Sequence, residues 1–167
     1  MIEAFGKLRG EAILRIWGRD RGQDSRALRA IVDSLSEEKK SNVQWMPEYK
    51  NQQIAVDVLS KTDVIVTPSI WVENSPLVIH EAQQARVPVI TANAGGMGEY
   101  VKHGVNGLTY EHRNVDDLVK QMQTLLDDPE LARMLGERGY SFSEDRNIPD
   151  ITQHILALEK CYLQVLS

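Results

Sequence analysis

Two glutamates, Glu73 and Glu81, stand eight positions apart around a serine and a proline in the run ENSPLVIHE. The apolar run DVIVTPS at 63–69 comes before them and predicts a buried parallel strand. Ser75 has the chemistry of a helix N-cap, and Pro76 that of a first helical residue. The pattern therefore predicts a strand-to-helix turn with one carboxylate in the loop and the other inside the helix.

The same turn predicts an anion site between the two carboxylates. The first-turn amides near Leu77 and Val78 have no acceptor within the helix, and they point into the loop. Glu81 would lie roughly 7–8 Å along the helix axis from Pro76, given the rise per residue of an α-helix. Acceptors for hydroxyl groups then flank an anion site, which suits a sugar joined through a diphosphate to a ribose. Two glutamates at this spacing are often merely solvated, so the choice between a binding role and plain solvation depends on the residues around them.

Turns that could bind a ligand follow three of the predicted strands. Gly18 ends a strand predicted at 12–18, and Gly95 and Gly96 follow one predicted at 87–92. Glycine lets the backbone approach a ligand closely or adopt a positive φ, although in many turns it serves only to reverse the chain. Because ligands bind at the carboxyl ends of parallel strands, three such turns at one edge favour a binding site.

The elements that position these turns alternate between strand and helix along the chain. The predicted strands are 12–18, 43–46, 63–69, 87–92 and 107–110. The predicted helices are 24–35 (capped by Asp24 or Ser25), 51–61, 76–86, 98–103, 115–126, 129–140 and 152–166. Strands such as VIVTP and VPVIT are apolar on both faces, which indicates a parallel sheet covered by helices on both sides. The predicted fold is an α/β, doubly wound, Rossmann-like domain.

Composition limits the classes of function. The chain has 167 residues, 42% of them hydrophobic and 26% charged, as expected for one globular domain. A net charge of −5 argues against nucleic-acid binding. The single cysteine, Cys161, cannot form an internal disulfide, which agrees with a reducing, cytoplasmic location. No apolar run approaches the length of about 20 residues needed to span a bilayer, and the first residues do not form a signal peptide.

Collinear motifs run from Asn42 to Tyr140. The DVIVTPS strand is followed by E-x7-E from Glu73 to Glu81 and by a run of the form EAx5PVIx4GGxxE that ends at Glu99. A G-x-N-G turn at 104–107 and an Asp-Pro dipeptide before the predicted helix at 129–140 come next. Together these motifs resemble the C-terminal, donor-binding domain of GT-B-fold glycosyltransferases, closest to the retaining family 4 enzymes (glycosyl transferases group 1).

The resemblance implies a role for each matching position. Glu81 would accept hydrogen bonds from ribose hydroxyls, and Glu73 would be the catalytic residue, in contact with hydroxyls of the donor sugar near the reacting carbon. The remaining donor-site positions are Gly18 and Arg19 beside the nucleotide, Trp45 and Met46 beside the base, Ser75, Pro76, Leu77 and Val78 around the distal phosphate, and Gly95 and Gly96. Two turns depart from the usual pattern, with Gly18-Arg19-Asp20 in place of G-x-G and Trp45-Met46-Pro47 in place of aromatic-x-Gly.

The start of the chain departs further. Residues 2–8 look like the end of a helix that in the family follows the first strand and an arginine–lysine clamp on the diphosphate. We therefore expect the first strand, the clamp and the N-terminal acceptor domain to lie upstream of Met1, and the chain to be a truncated form, a split-gene product or a remnant. Without a strand near the centre of its sheet it would repack, form a homodimer or be marginally stable. Residues 1–150 are predicted to be the donor-binding domain, and 151–167 a helix packing at its edge.

The resemblance implies transfer of a sugar, with retention, from a nucleoside-diphosphate sugar to an acceptor held by the N-terminal domain, such as a saccharide or lipid-linked glycan. No metal or other cofactor is expected, and no histidine has a metal-ligand spacing to a second histidine or cysteine. The chain alone is expected to be inactive, and the full enzyme could lie peripherally at the inner face of a membrane. Two alternatives stay open, a non-catalytic nucleotide-sugar-binding module or remnant and a protein like the sugar-nucleotide epimerases.

Overall fold

The computed structural model describes residues 1–18, 22–140 and 151–166. Within them the strands are β1 (Leu14–Ile16), β2 (Val43–Trp45), β3 (Ile65–Thr67), β4 (Val89–Ala92) and β5 (Gly107–Tyr110). The α-helices are α1 (Ile2–Gly6), α2 (Gln23–Asp33), α3 (Glu37–Ser41), α4 (Ile54–Asp57), α5 (Leu77–Gln84), α6 (Met97–Tyr100), α7 (Val115–Asp127), α8 (Pro129–Glu137) and α9 (Ile151–Leu166). Strands and helices thus alternate as the sequence predicts.

All the strand pairs are parallel, and they form two separate pieces of sheet. One piece has the order β1-β2, with Ile16 opposite Trp45. The other has the order β3-β4-β5, with Ile90 between Val66 and Leu108. Parallel strands with intervening helices confirm the predicted doubly wound architecture, and within the described residues no ladder joins β1 to β3.

The main core lies around β4, the central strand of the larger piece. Every residue of β4 is buried, as expected for a strand whose sequence is apolar on both faces. Ile79 of α5 and Leu118 of α7 are buried in the same cluster. A second, smaller cluster around Phe5 and Leu14 belongs to α1 and the β1-β2 piece.

Two helix starts differ from the prediction. Helix α5 begins at Leu77 with Pro76 as its N-cap, so the assignment of Ser75 as the cap and Pro76 as the first helical residue was wrong. Pro76 has an extended backbone with ψ of 117°, which leaves it outside the helix, and the Ser75 side chain bonds elsewhere. Helix α2 begins at Gln23 with Gly22 as its N-cap, so the predicted cap at Asp24 or Ser25 was also wrong.

The continuous helix predicted over 51–61 is broken. It consists of a 3-10 turn at Asn51–Gln53, the short α4 and a second 3-10 turn at Leu59–Lys61. The hydroxyl of Ser60 donates to the carbonyl of Val56 at 2.7 Å, and that of Thr62 donates to the carbonyl of Val58 at 2.8 Å. Such side-chain bonds to the backbone compete with regular helix formation.

Helix α9 is exposed at every residue whose burial the structure describes. Its apolar side chains, among them Ile155 and Leu163, are therefore not covered by the described part of the chain. Whether this helix packs at the domain edge stays a prediction. None of the described helices is both long and apolar enough to cross a membrane.

Candidate functional site

The loop that carries Glu73 is packed directly on the turn at Gly95 and Gly96. The N–H of Gly96 donates to the carbonyl oxygen of Glu73 at 2.9 Å. A Cβ added to Gly96 would overlap the carbonyl of Asn74, and one added to Gly95 would lie 2.6 Å from Val72 Cγ1. Gly95 also has a φ of +55°, which disfavours a side chain. Both glycines are therefore explained by the close approach of two loops, which together fix the position of Glu73.

The preceding part of the same loop is held from the other side. The carbonyl oxygen of Ile70 lies 3.1 Å from His112 Nε2 and accepts from Arg113 Nη2 at 3.3 Å. The Ser69 hydroxyl accepts from the N–H of Trp71 at 3.3 Å, which closes a local turn. These hydrogen bonds hold the loop between β3 and α5 at several points, so the backbone position of Glu73 is well defined.

The N-terminus of α5 opens into a large cleft next to this loop. The N–H of Ile79 bonds to the carbonyl of Pro76 at 3.0 Å, whereas the amides of Leu77 and Val78 have no acceptor within the helix. Glu73, Pro76 and Val78 line the cleft, which has a volume of about 1800 Å³. The structure therefore brings one predicted carboxylate and the predicted anion site to the same cavity.

Glu81 is the fifth residue of α5 and is half-buried. The adjacent Ala82 and Gln83 are buried, and Gln83 Nε2 donates to the carbonyl of Tyr100 in α6 at 2.8 Å. This bond fixes the rotation of α5, which in turn determines the direction of the Glu81 side chain. Glu81 does not line the large cleft. A ribose in contact with Glu81 would therefore lie outside that cleft, and this contact stays a prediction.

His80 links the turn to α6, which the sequence analysis did not foresee. Its Nε2 atom lies 2.8 Å from the hydroxyl oxygen of Ser75, and its ring packs edge-on against Tyr100 with centroids 4.4 Å apart. His80 is not among the residues that line the large cleft, but its ring holds Ser75, a predicted phosphate-site residue. The only signal for this contact in the sequence was the separation of five positions between Ser75 and His80 at the start of a helix.

The predicted nucleotide and base positions that the structure describes, Gly18, Trp45 and Met46, are not among the residues that line the large cleft. Gly18 is exposed, and no described atom lies within 4 Å of the place where its Cβ would be. Arg19 lies outside the described residues. Trp45 is half-buried, with the guanidinium carbon of Arg29 4.5 Å from its ring centroid, and the N–H of Met46 bonds to Ile16 at 2.9 Å. Trp45 and Met46 thus have structural partners, and their contact with a base stays a prediction.

A second, polar cavity of about 520 Å³ lies at the carboxyl ends of β4 and β5. Asn93, Tyr110, His112 and Asp117 are among the residues that line it. The Asp117 carboxylate accepts from the N–H of Glu111 at 2.7 Å, and this bond is the main reason why the pKa of Asp117 is lowered. Burial raises the pKa of Tyr110. Among the described residues no group of three or more histidine, cysteine, aspartate or glutamate side chains is arranged to hold a metal ion.

Comparison with known sequences gives matches over most of the chain. The profile of the family described as glycosyl transferases group 1 matches residues 1–142. An uncharacterized glycosyltransferase of Methanocaldococcus jannaschii is 30% identical over 121 residues, which are 72% of this chain and 34% of that protein. A D-inositol 3-phosphate glycosyltransferase of Rhodococcus jostii is 37% identical over 83 residues, which are 49% of this chain and 18% of that protein. The chain thus spans only about a third or less of these relatives.

Solved structures share the fold. HepE of Anabaena, solved in complex with UDP and glucose, superposes with a TM-score of 0.80 at 21% identity, covering 96% of this chain and 43% of that one. A sucrose-phosphate synthase of Thermosynechococcus elongatus superposes with a TM-score of 0.79 at 25% identity, covering 99% of this chain and 41% of that one. These likenesses agree with the doubly wound architecture.

Proposed function

Because the chain belongs to the glycosyl transferases group 1 family, we propose that it forms the donor-binding half of a retaining glycosyltransferase. The observation that carries the proposal is the arrangement of Glu73. The Gly96 turn fixes its backbone beside the N-terminus of α5, and both Glu73 and that N-terminus face one cleft. A carboxylate next to a helix N-terminus suits a ligand that carries hydroxyls and a phosphate side by side.

In this proposal each part of the turn binds one part of a nucleoside-diphosphate sugar. The first-turn amides of α5, at Leu77 and Val78, bind the distal phosphate, since they lack acceptors in the helix and lie at its positive end. Glu73 accepts hydrogen bonds from hydroxyls of the sugar. Glu81, held in direction by its neighbour Gln83, accepts those of the ribose.

These residues stabilise a leaving group rather than form a covalent bond to it. As the bond between the sugar and the diphosphate breaks, negative charge grows on the phosphate and positive charge on the anomeric carbon. The α5 N-terminus stabilises the negative charge on the phosphate, and the carboxylate of Glu73 lies beside the positive charge on the anomeric carbon. We propose that the reaction needs no metal and that the acceptor, a saccharide or lipid-linked glycan, binds to another part of the full protein. The purified 167-residue chain is then expected to show no sugar transfer.

The first ligands to test are suggested by the fold neighbours. HepE was solved with UDP, and also with UDP-glucose. Calorimetric titration of the chain with UDP and UDP-glucose, and with the matching guanosine and adenosine compounds, measures whether a donor half-site exists and which base it prefers. NMR shifts should cluster at residues 75–78, 81 and 95–99.

The decisive variant is Glu81→Ala. Because a carboxylate that accepts two ribose hydroxyls makes charge-assisted hydrogen bonds, its loss should weaken binding of UDP by about tenfold or more. Glu37→Ala is the matched control, since Glu37 is an exposed glutamate of α3 whose nearest cation, Lys40, is 4.0 Å away. Binding that survives Glu81→Ala would favour a non-catalytic module, and no binding by a folded chain would contradict the proposal.

A further inference from the structure

Three successive apolar side chains are exposed on the loop that carries Glu73. Ile70, Trp71 and Val72 are 58%, 74% and 66% exposed, respectively. Single exposed apolar residues are common on protein surfaces, whereas a contiguous apolar patch usually marks a surface that binds something. We call residues 70–72 the apolar loop patch.

The loop after β5 holds the first residue of the patch. The Ile70 carbonyl accepts from Arg113 Nη2 at 3.3 Å and lies 3.1 Å from His112 Nε2. Arg113 makes this contact from a left-handed backbone with a φ of 64°, a conformation that is unfavourable for a residue with a side chain. The position of Ile70 is therefore maintained even at a cost in backbone strain.

The other two residues of the patch are held as well. The Ser69 hydroxyl accepts from the N–H of Trp71 at 3.3 Å and donates to the carbonyl of Trp71 at 3.2 Å. Val72 packs against Gly95, where an added Cβ would lie only 2.6 Å from Val72 Cγ1. A surface that is ordered before its ligand arrives loses less conformational entropy on binding, so the patch is suited to hold a ligand.

The patch lies at the rim of the large cleft, next to Glu73. Ile70 and Glu73 line the cleft, whereas Trp71 and Val72 do not. Because two residues of chain span at most about 7 Å, the Cα atom of Trp71 lies within about 7 Å of that of Glu73. The exposed Trp71 indole therefore stands outside the cleft, beside a residue whose carboxylate belongs to it.

An exposed indole beside a carboxylate matches the two kinds of surface on a pyranose ring. The C–H groups on one face of the ring pack on the electron-rich face of an aromatic side chain. The hydroxyls at its edge donate to carboxylate or amide oxygens. Glu73 supplies the carboxylate, and the exposed Asn74 supplies an amide next to it.

Two other classes of ligand fit this patch less well. A protein interface usually takes about 20–30 residues from each partner, many more than the patch contains. An anionic membrane surface attracts clusters of lysine and arginine. Here the residue that follows the patch is Glu73, and the net charge of the chain is −5.

We propose that the apolar loop patch, with Trp71 at its centre, is a saccharide-binding subsite on which one ring of the acceptor stacks. The inference rests on the proposed function, because it takes Glu73 as the residue beside the anomeric carbon of the donor. In that function the donor sugar lies in the cleft against Glu73, so a ring stacked on Trp71 at the rim lies within reach of that carbon. The donor half thereby adds one contact to an acceptor that is otherwise bound by another part of the full protein.

The test titrates the 167-residue chain with two saccharide probes, maltotriose and chitotriose, in the absence of nucleotide. The indole N–H signal of Trp71 is identified by its absence from the NMR spectrum of the Trp71→Phe variant. This signal should shift during the titration with at least one of the two saccharides. The signal of Trp45, whose ring lies against Arg29, should not.

Chain variants locate the contact. Trp71→Ala removes the aromatic face and should weaken saccharide binding by about tenfold or more, whereas Trp71→Tyr retains a ring and should weaken it by about threefold or less. Tyr162→Ala is the matched control, since it removes an aromatic ring of similar exposure, 68%, from α9. It should leave saccharide binding unchanged. Circular dichroism checks that all the variants fold.

Four results would overturn the proposal. Neither saccharide shifts the Trp71 signal, or Trp71→Ala binds them as well as the unaltered chain does. Alternatively, Trp71→Ala weakens binding of UDP-glucose but not of UDP, which would assign the indole to the donor sugar. Finally, Trp71 mediates binding to phosphatidylcholine vesicles while neither saccharide binds, which would assign the patch to a lipid surface.

Failure of the donor-site proposal looks different. In that case the folded, unaltered chain binds neither UDP nor UDP-glucose, whatever the saccharides do. The saccharide titration contains no nucleotide, so it gives its own result for Trp71, and the two failures are distinguishable.

Discussion

At the scale of single residues, the site depends on contacts between loops more than on the two glutamates themselves. The carbonyl of Glu73 is held by the N–H of Gly96 at 2.9 Å, and the ring of His80 holds the hydroxyl of Ser75 at 2.8 Å. Both contacts fix backbone around the N-terminus of α5. The geometry of the proposed donor site should therefore be sensitive to residues that are not expected to touch a ligand.

Gly96→Ala tests the first contact. The new methyl group would overlap the carbonyl of Asn74, so the loop that carries Glu73 must move. We expect a loss of about 1–3 kcal/mol of stability and no measurable UDP binding. Thermal unfolding and calorimetry measure these effects. For stability the control is Gly18→Ala, which meets no described atom; an equal loss of stability in both variants would contradict the packing explanation.

His80→Phe tests the second contact. Phenylalanine keeps a ring against Tyr100 but cannot bond to the Ser75 hydroxyl. We expect a cost of about 1 kcal/mol in stability and a UDP affinity lower by severalfold, because the predicted phosphate loop loses a restraint. His80→Gln, which retains a hydrogen-bonding group, should recover part of the affinity. Unchanged UDP binding by the phenylalanine variant would show that Ser75 needs no such support.

The residue types of the site could be predicted from the sequence, but their partners could not. The E-x7-E spacing placed Glu73 in a loop and Glu81 on a helix, as the structure has them. The positive φ of Gly95 agrees with one of the predicted reasons for glycine. The packing of Gly95 and Gly96 against the neighbouring loop was not predicted, because a glycine that admits a ligand and one that admits a loop look alike in a sequence. Contacts such as that of His80 depend on helix rotation, which spacing alone does not determine.

At the scale of elements, the N-terminus of α7 carries a pH-sensitive support. Asn114 caps the helix by accepting from the N–H of Asp117 at 3.0 Å, and the Asp117 carboxylate accepts from the N–H of Glu111 and from Gln121. These bonds favour the ionised form, which is why the pKa of Asp117 is lowered. The bond from the N–H of Glu111 to the Asp117 carboxylate thus ties the start of α7 to the turn that follows β5.

Asp117→Asn should lower stability by about 1 kcal/mol at neutral pH, since it removes a charged acceptor. Because the pKa is lower in the folded state, the stabilisation is present above the ordinary carboxyl pKa of about 4 and is lost as the pH falls through the folded value. The two proteins should thus converge in acid. Urea unfolding at several pH values measures this, with Asp116→Asn, which breaks an exposed ion pair to Lys7, as control. A gap that stays constant into acid would contradict the assignment.

Long periodic elements were predictable, and short ones were not. Strand β5 was placed correctly at both ends, and α7 to within one residue. Helix α3 was missed, because five residues show no periodicity, although Ser36 followed by two glutamates is a capping signal. The G-x-N-G motif is explained only by the structure, in which the buried Asn106 donates to the carbonyls of Tyr100 and Gly139.

At the scale of the whole molecule, the layered α/β class followed from strands that are apolar on both faces. Within the described residues the parallel sheet consists of two pieces that border one cleft. The sequence could not provide this division, because the spacing of strands along a chain does not determine which strands pair. Helices α1 and α7, which lie far apart in the sequence, pack against each other.

The break between β1 and β3 also bears on cooperativity. Each sheet piece has its own core cluster, and side chains such as Met1, Val119 and Met122, rather than a backbone ladder, connect the two. Units joined in this way open with different free energies. In a denaturant titration followed by methyl signals, Ile16 of the smaller piece should report a transition at lower denaturant concentration than Ile90 in β4, whereas coincident curves would mean that α1 and α7 couple the pieces fully. If Ile16 reports the earlier transition, the smaller piece is a separate folding unit, and the wall that it contributes to the cleft is present only while that unit is folded.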